Sequence, residues 1–275
     1  MGDLPLVLKT IVNDVKHLLE RSPPKWSPDN PSQKELLTFQ TEAMRDSQFD
    51  PLKLRQNLWE LGEHRKATIL SKSCDYAKVL WIQPEGTDIE PPWEDWGRVF
   101  QWLGYAPQGL KWTVFWFPAH IKRILPPKGN AVGPESLNGG YCFPCNPTII
   151  VVYRFEEATR VLLHEVLHAA CTDPPYASLP IKEATTETWA ELFLVALCSK
   201  GDTEKAKRFW ALQRQWISNQ NHILQKQYHV RSVEDYAWRY TVGRAFILQD
   251  LRIELPVPKS QKGNSSRLTH PALCL

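Results

Sequence analysis

The sequence lacks the features that would assign it to several broad classes of protein. It has no run of about 18 apolar residues, so we predict no membrane-spanning segment and no membrane partner. Residues 1–20 have no uninterrupted apolar core of the secretory kind, so we expect a cytoplasmic protein. Basic and acidic residues nearly balance, at 33 against 30, which gives no indication of a nucleic-acid-binding surface.

Cysteine is also scarce, with six in 275 residues, which is too few and too scattered for a disulfide framework. Cys142 and Cys145 form one C-x-x-C pair, and no second pair completes a structural zinc site. We interpret them as two ordinary thiols in a loop before a strand, with a reversible disulfide between them as the main alternative. The other four cysteines are isolated in sequence: Cys74, Cys171, Cys198 and Cys274.

A His-Glu-x-x-His pattern lies within residues 160–170, in a stretch without Gly or Pro that predicts a helix. Residues 156–157 are both Glu and are expected in its first turn, where the helix dipole favours carboxylates. Residues four apart share a helical face, so His164 and His168 can each give a nitrogen to one Zn²⁺. Glu165 projects from the adjoining edge and is a candidate general base. The alternative is a buried helix with two incidental histidines.

A metal held by two histidines needs a third protein ligand, and the next helical stretch offers candidates. Residues 181–197 are predicted to be helical, with a proline near their start. Three glutamates occur there at intervals of four, Glu183, Glu187 and Glu191. The alternative for these glutamates is a solvated helix face, which the large apolar residues between them argue against.

Together, the two stretches resemble the gluzincin metallopeptidases, in which His-Glu-x-x-His is followed by a glutamate ligand on a second helix. The resemblance covers roughly residues 138–200. It implies that His164, His168 and Glu187 hold one Zn²⁺ per chain, with Glu183 as the competing third ligand. It also implies that Glu191 orients the first histidine by accepting its other ring N–H.

A narrower resemblance is to zinc-peptidase-like proteins encoded by large DNA viruses. Those proteins carry an Asn-x-Gly stretch, a strand that ends in Tyr-Arg, and a Thr-Glu-x-Trp-Ala-Glu helix. This chain has Asn138-Gly139-Gly140, residues 149–154 and residues 186–191 in the corresponding places. The resemblance implies a viral protein and adds packaging in a virion as a second expectation for its location.

The order of predicted elements indicates an α+β fold. We expect it to be helix-rich, with a small mixed sheet whose edge strand packs on two zinc-bearing helices, as in zincins. We expect a mostly helical N-terminal region over 1–106, the metallopeptidase domain over 107–255 and a flexible tail over 256–275. Helices are predicted at 4–20, 33–45, 51–66, 93–103, 202–228 and 232–250 besides the two above, and strands at 111–117, around 120–125 and at 148–153.

The function that the resemblance implies is zinc-dependent hydrolysis of peptide bonds in a peptide or protein substrate. Glu165 would take a proton from a zinc-activated water and pass it to the leaving amine. An edge strand at Asn138, Gly139 and Gly140 would bind the extended substrate through its backbone. Tyr236 is the first candidate for stabilising the oxyanion. The further candidates for that role are Tyr240, His222, His229 and Arg239.

Two rival hypotheses remain open at the level of sequence. The first is a catalytically idle gluzincin-like scaffold or virion structural protein. Glu165 argues against it, because a purely structural zinc site does not need a base. The second is a zinc-dependent hydrolase of non-peptide substrates.

Overall fold

The computed structural model describes residues 3–64, 66–259 and 264–273. Within these ranges the protein is a mixed α+β structure with nine α-helices and one open, six-stranded mixed sheet, which confirms the predicted class. No helix in the described ranges is long and apolar enough to cross a membrane. The α-helices are α1 Leu6–Leu19, α2 Gln33–Met44, α3 Leu54–Glu63, α4 Trp93–Leu103, α5 Pro134–Leu137, α6 Ala158–Ala169, α7 Leu179–Ser199, α8 Thr203–Gln227 and α9 Val242–Asp250.

The chain divides into two compact units, each built from separate segments. The sheet unit comprises Arg21–Lys122 and Asn138–Cys171. The helical unit comprises Met1–Glu20, Arg123–Leu137 and Thr172–Leu275. These units do not follow the boundary expected near residue 106, because the chain leaves and re-enters each of them.

The sheet unit contains all six strands, in the order β1-β2-β3-β4-β6-β5. The central strands β3, β4 and β6 run parallel, and they are apolar along most of their length because both faces are covered. β5 is one of the two edge strands, with β1 at the other edge, and it pairs antiparallel with β6. The strands are β1 Ser27–Pro28, β2 Ala67–Ser73, β3 Ala77–Pro84, β4 Trp112–Trp116, β5 Gly140–Cys142 and β6 Ile150–Val152.

The helical unit is organised around α7, whose first turn carries the expected proline, Pro180. Its apolar residues form a core with α1, α8 and α9, in which Leu192 and Val195 pack with Leu8 and Trp210. The helix ends at Ser199 and is followed by Lys200, which adopts a left-handed backbone conformation with φ 52°. Burial on several sides explains why α7 is apolar around most of its circumference.

Several sequence predictions are corrected by the structure. No strand forms at 120–125, where Ile124 makes only an isolated bridge to Ser265. The helix expected at 232–250 is instead a 3₁₀ turn, Tyr236–Tyr240, followed by α9, because Thr241 between them is non-helical at φ −134° and ψ −84°. Ser232 is therefore not its N-cap. The β2–β3 hairpin was not predicted at all.

The predicted flexible tail is also corrected over its described part. Leu268 and Leu273 are 1% and 2% exposed and belong to the apolar cores of the helical unit. The amide of Gln213 donates to the carbonyl of Leu268 at 3.0 Å, which fixes the backbone there. Burial of apolar side chains and a buried hydrogen bond oppose chain motion. Residues 260–263 and 274–275 of the predicted tail lie outside the described residues.

Candidate metal centre

Helix α6 carries the His-Glu-x-x-His pattern, and all twelve of its residues are buried. It begins at Ala158, with Glu157 as the N-cap residue at φ 61°. Glu156 and Glu157 therefore precede the first turn of the helix. The sequence prediction, which put both residues in that turn, is wrong. A helix buried on all sides can keep polar side chains only if they find partners or ligands, so the motif residues require a chemical explanation.

The two histidines converge as their spacing predicts. The Nε2 atoms of His164 and His168 lie 3.1 Å apart, and the residues are 6% and 7% exposed. Two nitrogens bound tetrahedrally to one Zn²⁺ at about 2.0–2.1 Å would be separated by about 3.3 Å. A hydrogen bond between the two rings would give a similar distance, so the pair alone does not distinguish the two explanations.

A carboxylate completes a group of three possible ligands. His164, His168 and Glu183 each offer one ligand atom, and these atoms all lie within 4.8 Å of one another. These three residues could hold a metal ion. Two imidazole nitrogens and one carboxylate oxygen suit zinc and other first-row divalent ions, so the donor set fits the metal that the resemblance implies without identifying it.

Glu187, the third ligand that the resemblance implies, stays a prediction. It lies on α7 one turn after Glu183. Glu187 is buried, with 2% of its surface exposed, whereas Glu183 is only half-buried. Both carboxylates are therefore on the same face of α7. The grouping with the histidines includes Glu183, which the sequence had marked as the competing ligand.

Glu191 has a partner that the sequence did not suggest. Its Oε2 accepts from Nη1 of Arg244 on α9 at 2.9 Å, and both side chains are almost completely buried. Arg244 also donates to Gln220 and to the carbonyl of Leu268, so this pair links four segments of the helical unit. The predicted contact between Glu191 and His164 remains a prediction.

We predict that Glu191→Ala lowers the affinity for metal by about 10–100-fold if Glu191 orients His164. Zinc titration of the stripped variant measures this affinity, and Arg244→Met is the matched control. Removal of one partner from a buried ion pair destabilises by about 3–5 kcal/mol, so both variants should unfold more easily in denaturant. If both lower stability and neither changes the affinity for zinc, Glu191 only anchors Arg244.

Glu165, the candidate base, is buried beside the edge strand β5. A Cβ atom placed on Gly140 would lie 3.1 Å from Cγ of Glu165 and 2.5 Å from Cγ1 of Val161. The thiol of Cys142, at the other end of β5, donates to the backbone carbonyl of Glu165 at 3.3 Å. The edge strand therefore runs in direct contact with the helix residue that the sequence assigns as the base.

The register of β5 shows which of its backbone groups face outward. The N–H of Tyr153 donates to the carbonyl of Gly139 at 2.7 Å, so that carbonyl faces β6. Gly140 pairs with Val152, the next position in the register. Because hydrogen-bonded and non-hydrogen-bonded pairs alternate in an antiparallel ladder, the N–H and C=O of Gly140 point away from β6. The carbonyl of Asn138 accepts from Nε of Arg154 at 2.7 Å.

We predict that Gly140→Ala destabilises the protein by about 1–3 kcal/mol, as overpacking of a core does. The added Cβ would lie 2.5 Å from Val161 and 2.6 Å from the carbonyl of Val151, and a backbone carbonyl in a central strand cannot move aside easily. Gly62→Ala in α3 is the matched control, since its nearest neighbour would be 3.5 Å away. Denaturant unfolding of both variants checks this prediction. Equal stability of the two would contradict the close approach of β5 to α6.

The candidates for oxyanion stabilisation are partly brought together. The hydroxyls of Tyr236 and Tyr240 lie 3.5 Å apart, and the guanidinium of Arg239 lies 4.8 Å from the centre of the Tyr236 ring. Burial raises the pKa of Tyr240 well above its usual value, and the charge of Glu183 adds to this, so Tyr240 is a hydrogen-bond donor at neutral pH. His222 instead lines a separate cavity of the helical unit with Asn221 and Gln249, and His229 is exposed at φ 56°.

The cysteine prediction is wrong in both of its forms. Cys145 is neither a free thiol nor bonded to Cys142: it forms a disulfide with Cys171. Cys171 lies three residues after His168, just beyond the end of α6. The partners are 26 residues apart in sequence, and no local pattern marks Cys171 as one of them. The bond therefore depends on the packing of β5 over α6.

No protein-family model, curated protein or solved structure matches this chain. The likeness to gluzincins therefore depends on the motif residues and on their arrangement.

Proposed function

We propose that this protein is a metal-dependent peptidase and that zinc is its metal. The observation that supports the proposal most strongly is the grouping of His164, His168 and a glutamate, with Glu165 next to the first histidine on the same helix. A structural zinc site is closed by four protein ligands, whereas a catalytic one keeps a position open for water or substrate. Two histidines and one carboxylate fit the catalytic kind.

Three side chains would hold the ion: His164, His168 and either Glu183 or Glu187. Bound zinc would supply Lewis-acid polarisation of the scissile carbonyl and would make a water molecule more acidic. The protein supplies the rest of the chemistry. The apolar residues around the site lower the local dielectric constant, and charge interactions within the site are therefore stronger than in water.

Glu165 acts as the general base in this proposal. Its carboxylate accepts a proton from the attacking water and later donates it to the leaving amine. It neighbours His164 in sequence but lies about 100° around the helix from it, so it need not be a ligand itself. The Cγ atom of Glu165 lies near the backbone of Gly140. This proximity supports a role for the carboxylate beside the proposed path of the substrate.

The substrate is an extended peptide that adds to the outer edge of β5. The N–H and C=O of Gly140 point away from β6 and can pair with a peptide backbone. Gly139 contributes less than the sequence suggested, because its carbonyl already accepts from Tyr153. The side chain of Asn138 remains a candidate for contact with the substrate. In this mode of binding the enzyme contacts mainly the backbone of the substrate and few of its side chains. We therefore expect cleavage of peptides with many different sequences.

In this proposal the hydroxyl of Tyr236 donates a hydrogen bond to the oxyanion, and Tyr240 is the hydrogen-bond partner of Tyr236. Their hydroxyls are close enough to exchange a hydrogen bond, so Tyr240 can orient the hydroxyl of Tyr236. A donor already directed at the position where charge develops costs no reorganisation during the reaction.

The proposal is tested by removal and return of the metal. The purified protein is stripped with a chelator, dialysed, and assayed on an unfolded protein substrate before and after addition of one equivalent of zinc. The expected result is loss of cleavage on stripping and recovery with about one zinc per chain. Cleavage that is the same in the stripped and the reloaded protein would contradict it.

A further inference from the structure

The C-x-x-C segment lies against the metal-binding helix at two points. Cys142 ends the edge strand β5, and its thiol donates to the carbonyl of Glu165. Three residues later, Cys145 is bonded to Cys171 just beyond the end of α6, with the two Cα atoms 4.7 Å apart. All of these residues belong to the sheet unit. The segment thus joins the edge strand to the helix that carries both histidines.

The disulfide also brings two backbone donors to one metal ligand. The N–H groups of Cys145 and Cys171 both donate to the carbonyl of His168, each at 3.1 Å. The last four carbonyls of a helix have no partner within a regular helix, so they depend on donors of this kind. The carbonyl of His168 therefore accepts from both residues that the disulfide joins, as well as from the N–H of Ala170. Of these three donors, only Cys145 comes from outside the helix and the residues that directly follow it.

Both cysteines adopt a backbone conformation that is unfavourable for residues other than glycine. The φ angles are 61° for Cys145 and 60° for Cys171, in the left-handed region. Non-glycine residues in this region cost free energy and persist only where the surroundings hold them. A covalent link and two hydrogen bonds to His168 are such surroundings. Without the link, both residues can relax toward ordinary φ angles and withdraw their N–H groups from His168.

We propose that the Cys145–Cys171 disulfide positions His168 for metal binding, so that a thiol reductant lowers the affinity of the site for zinc. This inference rests on the proposed function of the same site. In the reaction, two reductant thiols supply two electrons and two protons. The Sγ–Sγ bond breaks, two Cys thiols form, and the reductant becomes its own disulfide.

The test compares zinc affinity in the oxidised and reduced protein. Wild type is titrated with zinc against a chromophoric chelator before and after reduction by a phosphine, which binds zinc weakly. The double variant Cys145→Ser/Cys171→Ser is titrated in the same way. Cys74→Ser is the control, since Cys74 is a buried free thiol of the same unit that makes no disulfide. We expect about 10–100-fold weaker binding in reduced wild type and in the double variant, as for loss of other groups that orient a ligand, and no change in the control.

A general loss of folding is separated from loss of positioning by far-ultraviolet circular dichroism. The reduced protein and the double variant should keep the spectrum of the oxidised wild type, and an unfolded spectrum would overturn the positioning role. The coupling itself is checked by a reciprocal measurement. If the disulfide raises zinc affinity, bound zinc must stabilise the disulfide by the same factor. Wild type is equilibrated in glutathione buffers of graded potential, with and without buffered free zinc, and its free thiols are counted by alkylation and mass spectrometry. Zinc should shift the midpoint to more reducing buffers.

The outcomes distinguish this inference from the proposed function. Equal or tighter zinc binding in the reduced protein, or a midpoint that zinc leaves unchanged or moves the other way, overturns the role of the disulfide while the metal site stands. Absence of zinc binding in the oxidised wild type overturns the proposed function, and the inference with it.

Discussion

Glu165→Gln is expected to abolish most hydrolysis while the protein keeps its metal. Gln has nearly the same size as Glu but cannot accept the proton of the attacking water. The loss of a general base lowers kcat by about 10²–10⁴-fold. Because the residue lies beside the histidines and is not needed as a ligand, zinc content should stay near one per chain. Its carbonyl, which accepts from Cys142, is unchanged by the substitution.

Three measurements together check this prediction: kcat on a peptide that the wild type cleaves, zinc by mass spectrometry, and the thermal midpoint. Glu156→Gln is the control, since Glu156 precedes α6 and is outside the metal-binding group. If the variant at 165 cleaves as fast as wild type, the base is another residue. If it loses its zinc, Glu165 is a ligand, and the assignment of roles along the helix is wrong.

His164→Ala and His168→Ala are each expected to remove bound zinc altogether. A site with two imidazoles and one carboxylate cannot hold the ion tightly once an imidazole is lost, because two protein ligands remain where catalytic zinc sites have three. Zinc content after dialysis should fall from about one to near zero per chain. Asn variants at the same positions keep a polar side chain and leave a smaller cavity. They show whether the cavity left by Ala contributes to the loss of zinc.

The same measurement of zinc content after dialysis identifies the third protein ligand. The structure groups Glu183 with the histidines, whereas the likeness to gluzincins favours Glu187. Glu183→Ala and Glu187→Ala are compared side by side, and the ligand is the one whose loss empties the site. If both variants keep full zinc, neither carboxylate is a ligand. X-ray absorption at the zinc edge adds a further check, because a sulfur ligand at about 2.3 Å would indicate a cysteine site instead.

Local pattern was sufficient to predict the helices that carry the candidate site. The stretch around His164 and that around Glu187 combine good helix formers with a proline near the start of α7 and a proline pair after α6. The strands β4 and β6 were also predicted, since their β-branched and aromatic residues are typical of buried strands.

Other features depend on contacts that sequence spacing does not show. The disulfide joins Cys145 to a residue 26 positions away, so its pairing follows from how β5 lies on α6. The pairing of Glu191 with Arg244 likewise requires α7 and α9 to be neighbours. The break at Thr241 lies among residues of weak helix propensity, including Tyr240, Val242 and Gly243. Near it, a Cβ on Gly243 would lie 2.9 Å from that of Ala184, so tertiary packing shapes the backbone there.

The β2–β3 hairpin was within reach of sequence analysis. Val79, Leu80, Trp81 and Ile82 form a short apolar run of the kind expected in a strand buried on both faces. Residues 74–76, which are Cys-Asp-Tyr, form the short connection between this strand and the preceding one, as in a hairpin.

Cleavage of an unbiased peptide library by the zinc-loaded protein tests the central claim most directly. Wild type and Glu165→Gln are incubated with the library in parallel, and the products are mapped by mass spectrometry. The account predicts new termini with wild type, at bonds in many sequence contexts, and at most trace amounts with the variant. Full zinc occupancy without any new termini in either sample would contradict the account and identify a folded metal-binding scaffold that does not hydrolyse peptides.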